Sequence, residues 1–184
     1  MAASQGSDPG DRTAVAPPAW VLRLCGGFRL YHDGDNLAHR LTPRARLLVA
    51  RLALQPDAAV AKSTLAARLW PDTGDEQART NLRTLLHQFH ARVPDLYDRL
   101  RVSRDLVELP AGPDLDVDVW RYDALARAAR RTAGALAPSL RAELEDAALR
   151  LAPPLLPECY DDWIVPPRER LDAVRRGILD LLAA

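Results

Sequence analysis

Residues 75–109, DEQARTNLRTLLHQFHARVPDLYDRLRVSRDLVEL, restrict what this chain can fold into more than any other stretch. Ala78, Leu82, Leu85, Leu86, Phe89 and Val93 recur at i, i+4, i+7, i+8, i+11 and i+15, one apolar stripe along a helix from about Asp75 to Val93. Asp75 and Glu76 open that helix, where carboxylates complement the positive end of its dipole. The opposite face carries Thr80, Arg83, Thr84, His87 and Gln88. Uncharged donors and acceptors around a single guanidinium suit base edges and phosphates better than plain solvation does. A tight two-stranded ribbon follows, with Ser103, Arg104 and Asp105 at its tip. Two arrangements fit this pattern: a surface helix beside an ordinary hairpin, or a helix and basic-tipped hairpin that together hold DNA.

Size and charge narrow the choice. A chain of 184 residues with 48% hydrophobic content can pack one good-sized domain or two small ones. Its net charge is zero, which argues against a general polyanion binder, but the charge is uneven. Residues 20–110 hold 14 Lys+Arg against 10 Asp+Glu, and residues 111–184 hold 10 against 13. A basic front and acidic back fit a nucleic-acid module joined to a protein-binding one. Lys62 is the only lysine, and the many Arg, Ala, Leu and Pro residues reflect genomic G+C bias, so arginine abundance by itself says little. Cys25 and Cys159 are too few for a disulfide framework, and Cys25 reads as packing. The first residues lack a secretory signal, and no apolar run reaches the roughly 18 residues of a membrane helix. The expectation is a cytoplasmic protein with reduced thiols and no membrane contact.

Residues 1–18, rich in Gly, Ser, Asp, Pro and Ala, read as a disordered leader. Val21–Leu24 and Phe28–Tyr31, broken by Gly26-Gly27 and followed by the turn Asp33-Gly34-Asp35, predict a small antiparallel sheet. Thr42-Pro43 starts a helix that runs to Gln55, and a second spans about Lys62 to Trp70. Beyond the ribbon, Leu115, Val117 and Val119 alternate with aspartates. Helices follow over about 119–131, 138–151 and 166–182, with a proline-rich turn before the last. The back third therefore reads as all-helical, the domain boundary falls near Pro110–Pro113, and helix pairs of this length fit helical-repeat architectures.

Motifs for catalysis and metals fail on spacing. Asp114, Asp116 and Asp118 have calcium-loop spacing, but Val119 and Leu125 occupy the glycine and final-carboxylate positions. These aspartates instead solvate the outer face of a strand or cap the next helix. His87 and His90 lack zinc-spaced partners; His90, beside the apolar stripe, is expected to be partly buried, and His87 points outward. No phosphate-binding glycine loop or nucleophile–base constellation is present, so neither an enzyme nor a cofactor is expected. Tyr160, Trp163 and Ile164 surround Asp161-Asp162 and read as a capping turn with an aromatic anchor, a partner-binding knob being the other reading.

LRLCGGFRLYHDG, LTPRARLLVARLALQPDAAVAKSTLAARLWPD, ARTNLRTLLHQF and YDDWIVPPRERLDAVR resemble, in order and spacing, the Streptomyces antibiotic regulatory protein (SARP) family. The resemblance covers about residues 20–184. It implies an α+β OmpR-type winged helix (small sheet, three helices, wing hairpin) over residues 19–110. An all-α, tetratricopeptide-like bacterial transcriptional activator domain over 111–184 would follow, shorter than the family's usual array: either a fragment of it or a naturally short form. The resemblance implies Pro43–Gln55 as the first core helix, Lys62–Trp70 as the positioning helix and Asp75–Val93 as the recognition helix in the major groove. Leu100–Leu109 would be the wing in the adjacent minor groove. Thr80, Arg83, Thr84, His87 and Gln88 become groove-facing candidates, with Arg83 able to pair bidentately with guanine. Arg44, Arg101 and Arg104 become phosphate or minor-groove contacts. Implied partners are double-stranded promoter repeats bound by two side-by-side protomers, and RNA polymerase through the helical domain.

Two local departures stand out. The recognition helix reads HQFHARV where relatives carry a run like SRLRRAL, which removes positive charge. Ala61 stands where relatives often have a serine cap, with Ser63 able to cap a later start. These departures keep a second reading open: an interaction module on a winged-helix scaffold with weakened or lost DNA binding.

Overall fold

Strands Trp20–Arg23 (β1) and Arg29–His32 (β2) pair antiparallel because Gly26 and Gly27, both at positive φ, reverse the chain between them. Asp33 and Gly34, also at positive φ, join β2 to Asp35–Asn36 (β3) in the two-residue turn that matches strand twist. Trp20 stacks on His32 with ring centroids 4.0 Å apart across this sheet. The computed structural model describes residues 18–131 and 136–183; the expected leader, apart from Pro18, lies outside the described residues.

Thr42 caps helix Pro43–Ala53 (α1) by accepting the Ala45 amide at 3.2 Å, with Pro43 at the first helical position. The helix stops short of the expected Gln55, because Leu54 closes it ahead of Pro56. Val60–Ala61 (β4) leads directly into Lys62–Leu69 (α2). Ser63 does not cap a later start: α2 begins at Lys62, with Ala61 at the cap position and no side-chain cap. Asp75–Arg92 (α3) buries Ala78, Leu82, Leu85, Leu86 and Phe89, as the stripe predicts, and Pro94 follows its end. A single turn, Pro94–Tyr97 (α4), not foreseen from sequence, sets Tyr97 edge-on to Phe89 at 5.8 Å. Arg101–Val102 (β5) and Leu106–Glu108 (β6) form the ribbon, and β6 also pairs with β4 in a three-stranded sheet of order β4-β6-β5.

The all-helical expectation for residues 111–184 needs one correction. Leu115–Val117 is a strand (β7) that lies parallel to β1 and completes a four-stranded sheet of order β3-β2-β1-β7. Helices Asp118–Arg131 (α5), Pro138–Arg150 (α6) and Val165–Ala183 (α7) then pack on one another and back onto the sheet.

Polar contacts seal this seam. Asp118 is buried rather than solvating a strand: its Oδ2 accepts the amides of Leu24 and Cys25, and its Oδ1 accepts that of Val119. Desolvation pushes its carboxyl pKa up, partly countered by those bonds. Trp120 Nε1 donates to the Ala53 carbonyl at 2.6 Å, and the Arg51 guanidinium lies over the Trp163 ring. Trp163 and Ile164 are buried anchors in a 3₁₀ turn, whereas Tyr160 is 91% exposed. The described core is one continuous cluster from Trp20 to Ile178.

Candidate nucleic-acid interface

Burying the apolar stripe of α3 forces its other face outward. Thr80, Arg83, Thr84, His87 and Gln88 are all exposed there. Thr80 Oγ1 donates to the Glu76 carbonyl at 3.1 Å, so this hydroxyl is partly engaged by its own helix. Arg83 and His87 turn toward the ribbon and line a groove of about 810 Å³ between the two elements. Leu82, Leu86, Tyr97, Val102 and Leu106 make its floor. Lys62, Arg79, Arg83 and Arg104 line it too, four cations against the single carboxylate of Asp105.

Three of the expected site residues therefore meet in this groove: Arg83, His87 and Arg104. Thr80, Thr84 and Gln88 share the exposed face of α3 but do not line it. Arg44 sits in the first turn of α1 with its guanidinium 5.9 Å from the Trp70 ring centroid. Arg101 pairs with Glu108 at 3.2 Å across the ribbon, so its charge is already partly answered. His90, expected to be partly buried, has a side chain 54% exposed that rests on Tyr97 with its Nε2 3.9 Å from Asp98. His90 lies one position beyond the buried Phe89 and lines the groove.

Arg79, Lys62 and His90 complete the groove and were not foreseen. Arg79 had a signal, since it lies one turn before Arg83 on the same face. Lys62 had none, because its role depends on a contact across 41 residues. Its amide donates to the Asp105 carbonyl and its Nζ to the Ser103 carbonyl, both at 2.7 Å. The start of α2 is thereby stapled to the ribbon tip, where Ser103 Oγ also accepts the Leu106 amide. In Lys62→Ala the Nζ bond is lost while the amide bond stays. Stability should then fall by about 1 kcal/mol or less, and amide exchange at Ser103 and Leu106 should quicken several-fold. Unchanged exchange at both amides would show that the staple does not order the tip.

Among the described residues, Arg79, Arg83 and Arg104 make no hydrogen bond or ion pair, which leaves their guanidiniums available. No group of three or more His, Cys, Asp or Glu among those residues is placed to hold a metal ion. No described helix is long and apolar enough to cross a membrane.

No family model and no curated protein matches the sequence. Among solved structures, the chain matches Mycobacterium tuberculosis EmbR, determined in complex with a low-affinity phosphopeptide, at a TM-score of 0.58 and 16% identity. The fold is like that of EmbR. The match covers 91% of this chain and 43% of EmbR, so the chain spans less than half the length of that structure. At that identity the likeness is one of backbone architecture.

Proposed function

We propose that the chain is a sequence-specific, non-enzymatic transcriptional regulator, with residues 19–110 as an OmpR-type winged helix that binds double-stranded DNA. In this reading α3 is the recognition helix in the major groove and β5–β6 is the wing in the neighbouring minor groove. The observation that carries it is the groove between helix and ribbon: three guanidiniums without a partner among the described residues, and Lys62, against one carboxylate. Such a concentration of cations on a chain of zero net charge favours a polyanionic partner at this face alone. Likeness to a regulator of the SARP family supports the same class.

Roles follow from placement. Arg83 and His87 project from the middle of α3 and would read base edges, helped by Thr84 and Gln88 farther round the helix. Arg104 at the wing tip would enter the minor groove or meet phosphate, and Arg44 and Arg101 would contact phosphates at the margins. Residues 111–184 would form the activator-like helical domain that engages RNA polymerase, with two protomers side by side on promoter repeats in the cytoplasm. With a duplex selected for tight binding, Arg83→Ala should cost about 1–3 kcal/mol and relax preference at one base pair. Arg104→Ala should weaken all sequences alike. If both leave affinity and base preference unchanged, the docking is wrong.

The apolar floor of the groove and the 41% exposed Leu106 favour a second reading, in which the same face holds a protein segment and DNA binding is lost. Titrating random duplex at low salt separates the two, since a protein-binding groove gives no salt-sensitive DNA affinity.

A further inference from the structure

A second cationic cluster lies away from the groove. Arg23 on β1, Arg121 in the first turn of α5 and Arg150 at the end of α6 converge on a crevice of about 110 Å³, with Asp118 and Tyr122 at its back. Liquid water occupies about 30 Å³ per molecule, so the space is that of a few waters, or of one tetrahedral oxyanion.

The donors there are only partly used. Arg23 spends one Nη on Asp116 at 2.8 Å and directs the other at the Leu22 carbonyl, 3.4 Å away. Arg150 spends Nε on Asp146 at 2.7 Å, which leaves its Nη groups. Arg121 makes no hydrogen bond or ion pair among the described residues. The one carboxylate in the lining, Asp118, already has both oxygens occupied by backbone amides. Burial and the neighbouring Asp118 push the Tyr122 hydroxyl up to about 12, so it stays a proton donor at neutral pH. Planar guanidiniums from three separate elements around such a space match the geometry of a phosphate group.

We propose that this crevice is an oxyanion site that binds the phosphate group of a small molecule, with Arg121, Arg150 and Arg23 as its ligands. It bridges β1, α5 and α6, so an occupant ties the first sheet to the helical half. The assignment is independent of DNA binding at the α3 groove.

Calorimetric titration of the full chain with inorganic phosphate, at constant ionic strength, tests it. Saturable binding with a Kd on the order of a millimolar is expected. Arg121→Ala and Arg150→Gln should each weaken it about tenfold, while Arg40→Ala, outside both cationic clusters, leaves it unchanged. Glycerol phosphate should bind as well as the free anion; its exclusion would overturn the assignment to a phosphate carried on a small molecule. Three results overturn the site itself: no saturable binding, full affinity in Arg121→Ala and Arg150→Gln, or loss in Arg79→Ala alone, which would put the anion in the groove.

Discussion

Asp118→Ala should lower the free energy of unfolding by about 3–5 kcal/mol, a large part of the 5–15 kcal/mol typical of a domain. Asp118 is 2% exposed and, among the described residues, is the acceptor for the amides of Leu24, Cys25 and Val119, at 2.9–3.0 Å. Alanine leaves three N–H groups without partners where water does not reach. Relief of the buried charge offsets part of the loss, since desolvation is what raises this carboxyl's pKa. Urea denaturation measures the difference; a loss under 1 kcal/mol would mean that the amides find other acceptors.

The same residue fixes a pH dependence. A carboxyl whose folded-state pKa is raised binds a proton in the folded chain before it does so in the unfolded one. Its contribution is therefore fully present below the ordinary aspartate range and is lost as pH rises through the folded-state value. Asp118→Asn keeps one acceptor oxygen and cannot ionise. The stability of wild type relative to this variant should accordingly fall as pH rises from about 4 towards neutrality. A difference that is flat, or grows with pH, would contradict the buried-carboxylate account.

The second large effect is on binding. Reversing Arg83 and Arg104 to glutamate changes two available cations into anions on the opposite walls of one groove. Both side chains are exposed, so the fold should be retained. Each reversal removes a favourable phosphate or base contact and adds repulsion from the polyanion. Together they should weaken binding to a selected duplex on the order of a thousandfold at moderate salt. The matched reversal of Arg101, whose charge is already paired with Glu108, should cost much less. Equal losses at Arg101 and Arg83 would mean that affinity follows net charge and not the groove.

What could be read from sequence divides along the range of the interactions. The α3 stripe and the Thr42-Pro43 start of α1 were legible because helix burial and capping are encoded within a few residues of chain. The Asp33-Gly34 turn was legible for the same reason. The alternation at Leu115 and Val117 hinted at a strand, but its place did not follow: only pairing with β1, more than ninety residues away, puts β7 in the first sheet. Asp118 looked like a solvating or capping aspartate, and it does contact the first amide of α5. Its two further bonds to Leu24 and Cys25 are invisible without that sheet. In the candidate site, Arg83, His87 and Arg104 followed from the exposed face and the hairpin tip. Lys62 and the groove itself follow from how α2 meets the ribbon, which no local pattern carries.

Salt dependence of duplex binding tests the central claim most directly. Affinity for a selected duplex should be measured from about 50 to 200 mM monovalent salt. A DNA-docked groove with Lys62, Arg79 and Arg104 on phosphates, and Arg44 and Arg101 at its margins, gives a linear fall of log K against log salt, with a slope of about −3 to −5. Replacing Arg104 by glutamate should flatten it by about one. A slope near zero in the wild-type chain, or no duplex binding at the lowest salt, would contradict the assignment of this face to DNA.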